Sequence, residues 1–131
     1  MQWTAWITIA ALVMVGWTFM NAANARRTYK IKAPAMDGPL QFQSIFRVYA
    51  NTLEQLAFFL PTLWLCAFYL NDQLAALGGA VWIIGRILYA SAYYKDPSKR
   101  GLGFSIAFGA NALLMAGAIV GLVMHSPLLQ S

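Results

Sequence analysis

A chain of 131 residues that is 60% hydrophobic and 10% charged, with a mean hydropathy of +0.59, lies outside the balance of soluble domains and reads as an all-α integral membrane protein. Its net charge of +5 does not indicate nucleic acid, because the basic residues stand at the ends of apolar runs and form no polar face. The single cysteine, Cys66, sits inside an apolar run, which excludes a disulfide framework and any Cys/His metal spacing.

The first predicted span runs from Trp3 to Ala25 (residues 3–25). It is too long for a signal-peptide core and has no basic residue before it, so it is read as retained although Ala23-Asn24-Ala25 imitates a cleavage site. Arg26, Arg27, Lys30 and Lys32 follow, and Pro34 with Asp37-Gly38-Pro39 marks a loop. The second span is expected at 41–70, the third at 73–94 and the fourth at 102–124. Pro97 and Gly101 break the chain between the last two. Four spans leave room for a single domain over residues 1–131 and little else.

The first and third connections carry Arg26, Arg27, Lys30, Lys32, Lys95, Lys99 and Arg100 against Asp37 and Asp96, whereas the opposite end has Asp72, His125 and no Lys or Arg. The positive-inside rule therefore puts both basic loops in the cytoplasm and both termini outside. Trp3, Trp6 and Trp64 fit an aromatic belt toward the outer face. His125, at the opposite face from the basic loops, is read as a bystander. Pro61 removes the helical bond to the Ala57 carbonyl and is expected to kink the second helix.

On the second helix Gln43, Arg47, Asn51 and Glu54 fall on one face at about 100° per residue, and Phe58 follows on the same face. On the third, Arg86, Tyr89 and Tyr93 share a face and open toward the same side. An arginine or an acid at the centre of a span costs roughly 2.5 to 3.5 kcal/mol on insertion scales, so these groups must face protein or a wet cavity. Two readings stay open. In one, Glu54 pairs with Arg47 or Arg86 in a network that only fixes helix packing. In the other, the arginines hold carboxylates, Asn51 offers a donor and an acceptor, and Glu54 attracts an amine, which together suit a peptide-sized polyanion with one amino group.

The stretches NARRTYKIKAP, FRVYANTLEQ with its R-x-x-x-N-x-x-E spacing, and IGRILYASAYYKDPSKRG together resemble the membrane-associated proteins in eicosanoid and glutathione metabolism, the MAPEG family, and within it the type 3-like branch of microsomal glutathione transferases. The resemblance implies a homotrimer of four-helix protomers that binds glutathione at subunit interfaces near the cytoplasmic side. It implies Arg26, Arg47, Asn51, Glu54, Arg86, Tyr89 and Tyr93 as the glutathione-binding set. Arg100 is implied as the residue facing the sulfur and Arg27 as a second catalytic arginine. The implied activity is transfer of glutathione to a lipophilic electrophile, or reduction of lipid hydroperoxides, with no metal, in a bacterial inner membrane or the endoplasmic reticulum. Gln55 replaces a tyrosine of the leukotriene-synthesising branch, and Tyr49 stands where relatives differ. Two other readings are a non-catalytic lipid-binding scaffold of the same fold and a small proton-coupled exporter using Glu54.

Overall fold

The computed structural model describes residues 1–125. They form four helices, α1 (Gln2–Tyr29), α2 (Leu40–Tyr69), α3 (Asp72–Lys95) and α4 (Gly101–Met124), with one 3₁₀ turn at Pro97–Lys99 before α4. No strand occurs among the described residues.

The helix ends follow from local chemistry. The Asn71 side chain caps α3 by accepting from the Leu74 amide at 2.9 Å. Asp72, the first residue of α3, caps a different helix: its carboxylate accepts from the Trp3 and Thr4 amides at 3.2 and 3.0 Å and from the Thr4 hydroxyl at 2.6 Å. The free amides at the start of α1 are thus satisfied across the bundle, and the two helix starts are tied together. At its other end α1 continues past Ala25 to Tyr29, so Arg26 and Arg27 lie in its last turn and not in the loop where the sequence placed them. Cations there complement the helix dipole. Lys30 closes the helix in the left-handed region, φ 55°, and the Ile31 amide returns to the Arg26 carbonyl at 3.0 Å.

The central pair is α2 and α3; α1 and α4 pack on opposite flanks of it, and α3 packs most extensively on α4. The α4 seam is a stripe of mostly small residues, Gly103, Ala107, Ala110, Leu114, Ala118 and Gly121, which lets backbones approach closely. A Cβ on Gly103 would collide with the Tyr89 backbone, and one on Gly85 would lie 2.6 Å from the Ala107 nitrogen. That close approach sets Tyr89 against the start of α4. In the far half of the bundle Phe59 stacks on Trp82 with centroids 3.8 Å apart, and the Trp64 indole donates to the Thr8 hydroxyl at 3.1 Å. α2 runs through Pro61 as one helix.

The outer surface is apolar: Val13, Leu102 and Leu113 are 68, 71 and 75% exposed. A soluble monomer does not show such patches, whereas a bilayer does not penalise them. Three segments, α1, α3 and Pro97–Met124, are long and apolar enough to cross a membrane. α2 is the longest helix at 30 residues but carries the polar stripe. The protein is an integral membrane helical bundle.

Candidate functional site

The polar stripe of α2 and the aromatic face of α3 meet at the basic end of the bundle, beside the turn that leads into α4. Asp96 shapes that turn: its carboxylate accepts from the Ser98 hydroxyl at 2.8 Å and from the Ser98 amide at 3.0 Å. These bonds, the hydroxyl first, hold the Asp96 carboxyl below the usual carboxylate range. Arg100 follows directly and starts α4. One of its guanidinium nitrogens donates to the Tyr93 hydroxyl at 3.4 Å, and its charge lies 5.5 Å from the Tyr93 ring centroid.

Arg86 is buried at 1% exposure, with its guanidinium 4.2 Å from the Tyr89 ring centroid. Its Nη2 donates to Asn51 Oδ1 and to Thr52 Oγ1, each at 2.9 Å, while Nε and Nη1 have no partner among the described residues. The Thr52 hydroxyl spends its own proton on the Val48 carbonyl at 2.7 Å, so its oxygen can only accept from Arg86. A guanidinium has donors and no acceptor. It therefore draws the Asn51 oxygen inward and leaves the Asn51 amide NH₂ facing outward, an orientation set by the network.

Arg47 and Glu54 pair at 2.8 Å on the outer face of α2, with their side chains 53 and 52% exposed. The sequence left Glu54 with either arginine as partner; it takes Arg47, and Arg86 turns to Asn51 and Thr52. The three charges do not close into one dry seam.

The result is a cleft of about 270 Å³ lined by Arg47, Asn51, Tyr89, Tyr93 and Arg100, with Gly101 and Phe104 completing the wall. Tyr89 and Tyr93 meet edge to face at 5.5 Å. Of the residues expected at the site, Arg86 and Glu54 adjoin this cleft through Asn51 and Arg47. Arg26 and Arg27 do not line it. Arg26 donates to the Ala35 carbonyl at 2.8 Å and covers the Phe46 ring at 4.8 Å, pinning the loop after α1 to the start of α2, and Arg27 is exposed. Thr52 and Phe104 were not foreseen. Phe104 stands four residues after Arg100, on the same helical face, and that spacing was the available signal. Gln55 and Tyr49 lie outside the cleft; Tyr49 packs against Phe19 at 5.6 Å and Phe46 at 6.0 Å. Among the described residues no group of His, Cys, Asp and Glu could hold a metal ion.

The chain is similar to known proteins over most of its length. An uncharacterized protein of Synechocystis is 43% identical over 92% of this chain and 88% of its own length. Microsomal glutathione S-transferase 2 of Homo sapiens is 33% identical over 86% of this chain and 78% of its own. Leukotriene C4 synthase of Rattus norvegicus is 29% identical over 92% of this chain and 81% of its own. The two named enzymes are a type 2 microsomal transferase and a leukotriene synthase, where the motif stretches suggest the type 3-like branch; what the relatives support is the family. Its sequence pattern, the MAPEG family, matches residues 3–120, and on that match and these relatives the chain belongs to the MAPEG family.

Proposed function

We propose that the protein is a membrane-bound glutathione transferase that conjugates glutathione to a lipophilic electrophile or uses it to reduce a lipid hydroperoxide. One observation carries this reading: the polar groups turned toward the cleft are donors. Arg47 and Arg100 are cationic, the Asn51 NH₂ faces outward, and the Tyr93 hydroxyl, accepting from Arg100, has its own proton to give. Such a lining suits the carboxylates and carbonyls of an anionic tripeptide. Glu54, held beside it by Arg47, is the matching acceptor for the γ-glutamyl amine.

The chemistry required is modest. A free thiol with a pKa near 8.5 is only a few per cent thiolate at neutral pH, and the thiolate is the nucleophile. Lowering that pKa by about two units takes roughly 2.7 kcal/mol. One charge-assisted hydrogen bond from Arg100, at about 1.5 to 3 kcal/mol, supplies most of it. The thiol proton leaves to solvent first; the thiolate then bonds to the electrophilic carbon as that carbon's bond to its leaving group, or the π bond of a conjugated acceptor, breaks and the displaced electron pair takes up a proton. With a hydroperoxide the thiolate attacks the outer oxygen, the O–O bond breaks and the alcohol leaves, and a second glutathione converts the resulting sulfenic acid to the disulfide and water. Arg100 keeps N–H donors beyond the one on Tyr93, so it can hold Tyr93 and the sulfur together.

The site extends beyond one chain in this reading. An ion pair half exposed on a hydrophobic helix does not sit well against lipid, which favours a neighbouring protomer over the Arg47–Glu54 face and hence the homotrimer. Arg26 and Arg27, placed away from their own cleft, then serve the neighbour's: Arg26 on a glutathione carboxylate, Arg27 as a second catalytic arginine. All four helices span the membrane, with the basic loops cytoplasmic and both termini outside. The pairing of Glu54 with Arg47 speaks against the exporter, which needs a free acid. The test is calorimetry of glutathione binding to the detergent-purified protein. Binding abolished in both Arg47→Ala and Glu54→Ala is expected; binding that survives both substitutions removes the proposal.

A further inference from the structure

The groove between α1 and α3 opens on a different side of α3 from the cleft. Tyr93 lines the cleft and Tyr94, the next residue, lines the groove, as neighbours about 100° apart on a helix do. Two hollows meet there at Trp17, which borders both. The deeper one, about 490 Å³, is walled by Ala10, Val13, Met14, Ile83 and Ile87. The one toward the basic end, about 450 Å³, is walled by Asn21, Asn24, Thr28, Tyr29 and Tyr94, with Ile45 of α2 completing it. Trp17 stands edge-on to Tyr94 at 5.9 Å on the boundary.

This groove changes from apolar to polar along its length in the direction a single leaflet does. From Ala10 to Thr28 it covers about 27 Å of α1, enough for an acyl chain and the glycerol region above it. Asn24 is exposed on an otherwise greasy helix, and a carboxamide facing hydrocarbon without a partner is costly. It lies about 8 Å short of the end of α1, at the inner margin of a headgroup layer about 5 to 7 Å deep. That is the level of ester oxygens. The donors available there can be named. Thr28 gives its proton to the Asn24 carbonyl at 3.0 Å, but the Tyr94 hydroxyl accepts from Asn21 at 3.2 Å and keeps its own proton. Just beyond, where phosphate would stand, the two helices end in exposed Lys30 and Lys95.

We propose that the α1–α3 groove seats one anionic glycerophospholipid, with a chain along Val13 and Ile83, ester oxygens on the Asn24 amide and the Tyr94 hydroxyl, and the phosphate facing Lys30 and Lys95. The cations select the anionic headgroup, and the two donors at the ester level fix its depth. The cleft and its glutathione chemistry do not enter the argument.

Native mass spectrometry of the whole protein in detergent, titrated with phosphatidylglycerol or with phosphatidylcholine, tests this. One phosphatidylglycerol per protomer is expected at a concentration at least about tenfold below that needed for phosphatidylcholine, the size of effect one charge-assisted contact gives. The double variant Asn24→Leu/Tyr94→Phe is expected to need about tenfold more phosphatidylglycerol, and Lys95→Gln to narrow the gap between the two lipids. Equal retention of both lipids by the unaltered protein overturns the proposal, and so does undiminished retention in the double variant. The first comparison needs no substitution, so it decides the matter even where a variant fails to fold.

Discussion

The two halves of the α2–α3 pair are built on opposite terms. In the half near Asp72 the helices close on each other through the Phe59–Trp82 stack, and the polar groups of Thr62 and Trp64 are uncharged and satisfied within the protein: the Thr62 hydroxyl donates to the Phe58 carbonyl at 2.7 Å and the Trp64 indole donates across to Thr8 of α1. In the half near Arg100 the same helices hold a buried guanidinium with two nitrogens that have no partner among the described residues and an exposed ion pair. A bundle keeps donors in reserve at one end when the other end over-determines its packing. The contrast separates residues that stabilise from residues that wait for a ligand.

The sharpest way to break that contrast is at the stack. Trp82→Ala is expected to lower stability by about 3 to 5 kcal/mol, through the cavity it leaves, in thermal unfolding of the detergent-solubilised protein. A loss of under about 1 kcal/mol would mean that the far half does not carry the fold.

Arg100→Ala is expected to do the reverse. The melting temperature holds, while turnover falls about 10²- to 10³-fold, the cost of removing one donor from a developing or resident anion. The ultraviolet thiolate band of bound glutathione disappears with it. A non-catalytic scaffold of the same fold would show no such band in the unaltered protein.

Arg86 tests the contrast at a smaller scale. In Arg86→Leu the Asn51 amide is free to turn over, and glutathione affinity should weaken by about 1 to 3 kcal/mol. Replacing a poorly partnered buried charge with a hydrophobe should leave the melting temperature unchanged or raise it. A large drop in melting temperature would instead make Arg86 part of the scaffold, as in the packing-network reading.

How much of this the sequence discloses follows from what periodicity encodes. Period and breaker residues locate helices, and they put Arg47, Asn51 and Glu54 on one face and Arg86, Tyr89 and Tyr93 on another, because a face depends only on spacing. Partner choice depends on rotation and crossing of two helices, which spacing does not carry. Glu54 could reach either arginine on paper. The close approach at Gly103 and Gly85, which fixes Tyr89 against α4, is a contact between segments and has no local signature. The helical placement of Arg26 escaped for a related reason: a run of basic residues before Pro34 looks like a loop, yet α1 reaches Tyr29 before the left-handed Lys30 closes it, and the Arg26 side chain meets the Ala35 carbonyl.

The smallest effect concerns the turn that delivers Arg100. The folded-state pKa of Asp96 is depressed, by the Ser98 hydroxyl first and the Ser98 amide next. A depressed carboxylate contributes stability that is complete above its unfolded value of about 3.9 and is lost as pH falls through the lower folded value. The turn should therefore be insensitive to pH from neutrality down to about 4 and loosen only in stronger acid. Because Asp96 is solvent-accessible, the change stays local. The Ser98 amide resonance, followed by nuclear magnetic resonance in the ligand-free protein, should titrate with a midpoint below 3.9, and Asp96→Asn should abolish that titration. A midpoint at or above the ordinary value would show that Ser98 does not hold the carboxylate, and that the approach of Arg100 to Tyr93 is set by α4 alone.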